Sequence, residues 1–354
     1  MNNRSGVLRL LISGLFCVLT LIYTFINIIT TNVLQPFTVE KHSENILLSV
    51  PANGSTKTVI KTVLNKSESN SEKTEGNVDT EKTASVSTDE KVVGKIIEKF
   101  ITPYTANTSY NNVYLKNSTG LDISIEELLS SPIGFNVEKN SDPQVLIMHT
   151  HTTESFMLEE RDYYTNSDAA RRTDPNYNNV RLGQIVCKKL NAAGINTIHD
   201  TTTHDYPEYN GSYSRAEKTI KSYLQKYPSI KIVIDMHRDA ITSGESDKVK
   251  PVTEINGKKA AQIMLVLGSE SGSVTDFPKW KENLKLGVRL QQTLEVKYPT
   301  LARSLYFCSR RYNENLTTGS MIIEIGTDAN TIDEVSYSAE LLADSLCELL
   351  NRLG

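Results

Sequence analysis

The strongest constraint on the fold of this chain is a series of β-branched apolar runs that alternate with amphipathic helix patterns. "IKIVIDMH", Ile230 to His237, puts apolar residues at nearly every position, which suits a strand buried on both faces. "VLIM" (Val145–Met148), "AQIMLVLG", "SLYFC" and "SMIIEIG" read the same way, and "INTIH" is a shorter strand. Helices fill the gaps. "NVRLGQIVCKKLNAAG" turns Val180, Ile185 and Leu190 inward, and Gly194 suits its C-terminus. "SRAEKTIKSYLQKYP" and "WKENLKLGVRLQQTLEVKYP" are further helices. The last begins at "TIDEV", where Thr331 and Glu334 have capping-box spacing, and runs to Leu353. Such alternation predicts an α/β fold with a largely parallel central sheet flanked by helices. Earlier in the chain, "KVVGKIIEKFIT" has helical spacing, "NVYLKNST" reads as a strand and "SIEELLSS" as a short helix.

The N-terminal part is of another kind. "LLISGLFCVLTLIYTFINII", Leu10 to Ile29, carries no charge. A helix of that length crosses a hydrocarbon core of about 30 Å. Arg4 and Arg9 precede it and Lys41 is the first basic residue after it, which places the N-terminus in the cytoplasm and the bulk of the chain outside. "TFINIITTNVLQPF" lacks a small-x-small cleavage site, so an uncleaved anchor is the preferred reading over a signal peptide. Ser49 to Glu90 is rich in Ser, Thr, Lys, Glu and Asn and has no aromatic residue. It cannot bury enough apolar surface to offset chain ordering and reads as a disordered tether, with an r.m.s. span on the order of 30–40 Å. The expected organisation is residues 1–32 for the cytoplasmic tip and transmembrane anchor, 33–100 for an extracytoplasmic linker, and 101–354 for one folded domain. A formal charge of −4 gives no support for a nucleic-acid partner. The four cysteines, Cys17, Cys187, Cys308 and Cys347, have neither zinc-knuckle nor disulfide spacing and read as free thiols.

In α/β sheets, sites form beyond the carboxyl ends of the strands. Three of the six histidines fall there. "VLIMHTHTTESF" delivers His149, His151 and Glu154, "DMHRD" delivers Asp235, His237, Arg238 and Asp239, and "MIIEIG" holds Glu324 among apolar neighbours. His151-x-x-Glu154 on a helical turn shares a face, and His237 from a neighbouring strand completes a two-histidine, one-glutamate set of the catalytic zinc type. His149 either replaces Glu154 as a ligand or orients His151 by a hydrogen bond, and the second role is preferred. Asp235 and Asp239 are candidates to hold ligand imidazoles. A buried carboxylate needs a reason, and Glu324 is the candidate general base. "RRYNENLTTG" precedes the final strand. Arg238, Arg310 or Arg311 is placed to hold a substrate carboxylate, Tyr312 and Asn313 to contact peptide or sugar, and Asn330 to face the site. His42, His199 and His204 are read as ordinary structural or surface histidines.

These stretches resemble the stage II sporulation protein P family, membrane-anchored cell-wall hydrolases of spore-forming Firmicutes. The likeness rests on "VYLKNSTG", "VLIMHTHTTESF", "DMHRDA", "RYNENLTTGSMIIEIG" and "ANT", in that order, from about Val113 to the C-terminus, plus the anchor. The resemblance implies a phosphorylase/hydrolase-like α/β fold and a zinc-dependent N-acetylmuramoyl-L-alanine amidase. Such an enzyme cuts the amide between glycan and stem peptide in peptidoglycan, with an endopeptidase activity on cross-links as well. It implies action in forespore engulfment, from the mother-cell membrane facing the intermembrane space, alongside stage II sporulation proteins D and M. Carried over by motif, the resemblance places His149, His151 and Glu154 in the first histidine motif, His237 in the second, and Glu324 as the catalytic glutamate. The wider amidase group takes its glutamate ligand from a later helix, but "NNVRLG" has none, so Glu154 takes that place, as in zinc carboxypeptidases of the same fold. The resemblance also implies glutamine where Glu314 stands. Two other readings stay open: a carboxypeptidase or endopeptidase of the same fold, and an inactive wall-binding scaffold.

Overall fold

A computed structural model describes residues 90–354. The expected anchor, Cys17, His42 and most of the expected linker lie outside the described residues. Among the described residues, no helix is long and apolar enough to cross a membrane.

In chain order the strands are β1 (Val92–Lys99), β2 (Thr108–Tyr110), β3 (Val113–Asn117), β4 (Val145–Met148), β5 (Tyr163–Thr165), β6 (Thr197–His199), β7 (Ile232–Asp239), β8 (Thr242–Ser243), β9 (Asp247–Ile255), β10 (Lys258–Ala261), β11 (Ile263–Gly268), β12 (Leu305–Cys308) and β13 (Met321–Thr327). The α-helices are α1 (Ile125–Ser130), α2 (Asn179–Ala192), α3 (Ser212–Lys226), α4 (Trp280–Lys297) and α5 (Ile332–Asn351). Their ends follow the sequence signals. Gly194 takes φ +81° just past α2, and Thr331 and Glu334 form the reciprocal capping box of α5.

Eight strands form the main sheet, in the order β2-β3-β12-β11-β13-β7-β4-β6. Five pairings are parallel (β3–β12, β12–β11, β13–β7, β7–β4, β4–β6) and β11–β13 and β2–β3 are antiparallel. The sheet is thus mixed, with an antiparallel seam at β11/β13. Strand alternation sorts side chains between two faces. Ile147, Ile234, Ile323 and Leu265 join Leu182 and Val186 of α2, Val288 of α4 and Leu342 of α5 in the large core. Each such fully buried aliphatic side chain contributes about 1.5–3 kcal/mol. Leu146, Met148 and Val233 point the other way and pack on Ala216 and Ile220 of α3. That second face is covered by helix only near β4 and β7, which leaves room over β13.

Two readings are corrected. Val92–Lys99 is a strand, not a helix. Consecutive β-branched pairs, Val92–Val93 and Ile96–Ile97, suit extended backbone, and β1 pairs with β9 on one side and β5 on the other. Gly94 is required, since a Cβ there would meet the Ser246 carbonyl oxygen at 2.5 Å. The folded part therefore includes residues assigned to the linker. The second sheet, β10-β9-β1-β5 with β8 on β9, was not foreseen. Its β9–β10 hairpin turns at Asn256 and Gly257, both with positive φ, an Asn-Gly signal readable in "INGK". Cys187, Cys308 and Cys347 are free thiols, as expected.

Glu314 is 2% exposed, and its Oε2 accepts the Gly268 backbone N–H at 2.7 Å. Burial pushes its carboxyl well above the usual range, against the Gly268 and Ile322 N–H donors, and the charge of Asp235 pushes the same way. The folded state therefore holds a proton that the unfolded chain loses above about pH 4.5, so stability falls as pH rises from there toward the folded value. Glu314→Gln keeps the acceptor and removes the titration. We expect its melting temperature to exceed wild type at pH 8 and the two to converge below about pH 4.

Candidate active site

β7 and β13 run side by side and parallel, with His237 directly opposite Glu324. Paired residues share a face, and this is the face away from the large core. Asp235, His237, Asp239 and Glu324 therefore project together. His237 and Glu324 sit within their strands rather than beyond them, so this part of the site lies on the sheet face and not only at the rim.

The chain leaves β4 in a turn. Thr152 Oγ1 donates to the His149 carbonyl at 2.9 Å, and the Glu154 N–H donates to that of His151 at 3.2 Å. Asp235 anchors this turn by accepting from Thr150 N at 2.8 Å and Thr150 Oγ1 at 2.6 Å. Its Oδ1 also lies 3.0 Å from His237 Nε2. The other ring nitrogen, Nδ1, is 3.5 Å from Glu154 Oε2. Glu154 Oε2 accepts from Asn179 Nδ2 at 3.0 Å and Arg238 N at 3.2 Å. The His151 ring stands edge-to-face on His237 at 5.2 Å, and its Nδ1 is buried without a hydrogen-bond partner. Glu324 Oε2 is likewise buried and unpartnered.

The charges follow from these contacts. Burial opposes ionisation of Glu154, but His237 and Arg238 outweigh it and hold the carboxyl well below the usual range. Burial lowers His151 to about 4 against the pull of Glu154. Burial also works against protonation of His237, yet Asp235 and Glu154 raise it well above 6.5. Glu324 is pushed up to about 8, first by burial and opposed by His237.

His151, Glu154, His237 and Glu324 line one cavity of about 400 Å³. The donor types fit a zinc ion: two imidazoles and a carboxylate, with His151 Nδ1 and His237 Nε2 both buried without a hydrogen-bond partner. The three donor atoms are not all within 4.8 Å of one another. Among the described residues, the group of three or more that meets that limit is Glu98, Glu160 and Glu334. Lys250 and Lys259 already neutralise that group, at 2.6 Å and 2.7 Å from Glu98.

The sequence model of the family described as stage II sporulation protein P matches residues 28–347. The chain belongs to the stage II sporulation protein P family. Stage II sporulation protein P of Bacillus subtilis (strain 168) is 27% identical over 216 residues, 58% of this chain and 50% of that protein. The chain thus matches about half the length of that relative. Among solved structures, N-acetylmuramoyl-L-alanine amidase AmiC2 of Nostoc punctiforme aligns at 12% identity and a TM-score of 0.35, over 59% of this chain and 96% of that one. The CwlD amidase of Clostridioides difficile, in complex with the GerS lipoprotein, aligns at 10% identity and a TM-score of 0.36, over 59% and 98%. Overlaps of this size leave the reaction of this stage II sporulation protein P family member to be argued from its own residues.

Several residues in this family member do something other than expected. Arg238 lines the cavity, but its guanidinium donates to the carbonyls of Ser155, Asp239 and Ala170, so it braces the loop after Glu154 instead of offering a free fork. Arg310 and Arg311 are exposed and do not line the cavity. Asn313 donates to the Tyr213 carbonyl at 2.9 Å and lies outside the lining, whereas Tyr312 is part of it. Asn330 is fully buried in the cap of α5, between Thr327 and Glu334. Asp239 pairs with Arg303 at 2.8 Å, not with an imidazole. His149 is fully buried, donates from Nδ1 to the Met236 carbonyl (3.2 Å), pairs through Nε2 with His199 Nε2 (2.9 Å), and does not line the cavity. His204 is satisfied by the His149 carbonyl and Thr219. Sequence reasoning missed Tyr209, Tyr213 and Arg171. Tyr209 stacks on His151 at 4.7 Å, and the Arg171 guanidinium lies over the Tyr209 ring at 4.6 Å. The tyrosines of "HDYPEYNGSYSR", dense for a loop, were the available signal.

Proposed function

We propose that this chain is a membrane-anchored, zinc-dependent peptidoglycan hydrolase that cuts the amide joining N-acetylmuramic acid to L-alanine. The observation that carries the reading is the pairing across β7 and β13: a half-buried carboxylate, Glu324, whose Oε2 is buried without a partner, directly opposite His237, in a cavity shared with Glu154 and the unpartnered Nδ1 of His151. His151, Glu154 and His237 would hold the ion. Bound zinc supplies a Lewis acid for the amide carbonyl and makes water a nucleophile near neutral pH. Asp235 fixes the His237 ring so that Nδ1 turns toward Glu154. Glu324 takes the proton of the attacking water and passes it to the departing nitrogen. The anchor at Leu10–Ile29, the place in forespore engulfment, and an association with stage II sporulation proteins D and M belong to the same proposal and rest on the family.

Digestion of purified sacculi by the full chain in detergent with added zinc tests it, with mass spectrometry of the products. Muramic acid with free lactyl groups and intact released stems is the expected result. Shortened stems would make the enzyme a peptidase of the same architecture. An intact sacculus that retains the protein would leave a wall-binding scaffold.

A further inference from the structure

Attack on an amide pushes an electron pair from the carbonyl onto its oxygen, and a donor aimed at that oxygen lowers the barrier. We propose that the Tyr213 hydroxyl is that donor. This rests on the hydrolase reading above and adds a catalytic residue to it.

The assignment follows from what the other donors in the cavity are doing. Arg238 is committed to three carbonyls. Arg171 is held by Asp205 at 2.6 Å and lies 3.7 Å from Glu154. Tyr209 Oη is 3.2 Å from His151 Nε2, so its hydroxyl is engaged with that ring. Tyr312 Oη is buried without a hydrogen-bond partner, and its ring contact is with Tyr213 rather than with the two imidazoles. Tyr306 comes from β12, two strands from β13 on the side away from β7, and packs with Met264 and Ile322. Tyr213 differs on each count. Its ring faces His237 in near-parallel orientation at 6.5 Å, meets His151 edge-on at 5.6 Å and lies 5.6 Å from Tyr312. It lines the cavity.

Its placement is built. Tyr213 is the second residue of α3, which starts after Gly211 in a left-handed conformation (φ +83°). The Asn313 side chain holds the Tyr213 carbonyl from the loop that precedes β13. In the step itself, the water oxygen bonds to the carbonyl carbon and its proton goes to Glu324. The carbonyl π pair moves to oxygen, which accepts the Tyr213 hydrogen bond. Collapse re-forms the carbonyl, breaks the C–N bond and delivers the proton from Glu324 to nitrogen. Asn313 acts through Tyr213 as a positioning residue.

Tyr213→Phe in the full chain keeps the ring contacts and removes the hydroxyl. On a soluble muropeptide, kcat is expected to fall by about 10² with KM within about twofold, because the donor acts on the oxygen only as charge develops. Affinity for a tetrahedral phosphonate analogue of the scissile amide should fall by the same factor, while zinc content and melting temperature match wild type. A kcat within twofold of wild type, or a raised KM with kcat kept, would overturn the assignment. Wild-type protein that releases nothing from sacculi would overturn the hydrolase reading, and this one with it.

Discussion

Glu324→Gln is expected to abolish hydrolysis, by at least about 10² in rate, while leaving zinc content and fold unchanged. General bases contribute roughly 10²–10⁴. Gln has the shape of Glu and keeps an oxygen acceptor, so the second face of the sheet stays packed. What goes is the one group placed to take a proton from water. Glu324 has the right position: it pairs across β13 and β7 with His237, and its Oε2 has no hydrogen-bond partner. Glu154→Gln separates the two acids. Glu154 Oε2 lies 3.5 Å from His237 Nδ1 and is held by Asn179 and Arg238, as a ligand held ready for an ion would be. That variant should lose zinc as well as activity in a chelator competition. If Glu324→Gln loses zinc and Glu154→Gln keeps it, the two roles are exchanged. If Glu324→Gln digests sacculi at the wild-type rate, Glu324 is not the base.

The site was legible through the rule that α/β sites gather at the carboxyl ends of strands, which singled out the two histidine motifs and Glu324. The register that sets His237 opposite Glu324 within β7 and β13 was not legible, because it is a pairing between segments remote in sequence. The antiparallel seam between β11 and β13 was not legible, because periodicity carries no strand direction. β1 misled for a related reason: Val92, Val93, Ile96 and Ile97 fit both a helical stripe and a strand, and pairing with β5 and β9 decides between them. Hydrogen-bond commitments were also out of reach. Nothing in "DMHRD" says that Arg238 will be consumed by the carbonyls of Ser155, Asp239 and Ala170. Nothing in "RRYNENL" says that Asn313 will hold Tyr213 from across the cavity. Those are contacts between segments remote in sequence, and they turn two expected substrate contacts into supports. β9 went unseen because a strand with Lys248, Lys250 and Pro251 lacks an apolar run, yet Lys250 is 1% exposed.

That lysine is expected to carry a large share of the fold's stability. Lys250 Nζ lies 2.6 Å from Glu98, 3.1 Å from Glu334 and 3.6 Å from Glu160. Glu334 is 5% exposed, and its other oxygen already accepts Thr331 N and Asn330 Nδ2, both at 3.0 Å. Lys250→Ala would leave a buried carboxylate facing no cation, which costs about 3–5 kcal/mol. For a domain of this size that is on the order of 10 °C in melting temperature. Lys259 bonds Glu98 and Glu160 at similar distances, 2.7 and 2.6 Å, but its side chain is 40% exposed. Lys259→Ala should therefore cost about 1 kcal/mol or less. The position of Glu334 gives the loss a route to the site. Met157, three residues after Glu154, exchanges backbone hydrogen bonds with Asn330 and Ile332 at the start of α5, each at 2.9 Å. Denaturant titration of Lys250→Ala and Lys259→Ala, and of Lys250→Met, Glu334→Gln and the two combined, measures it. The pair should be far less destabilised than the sum of its singles, because each removes the other's unpaired partner. Additive losses, or a Lys250→Ala midpoint equal to that of Lys259→Ala, would mean that water reaches Glu334 and that the buried pair is not what ties the second sheet to α5.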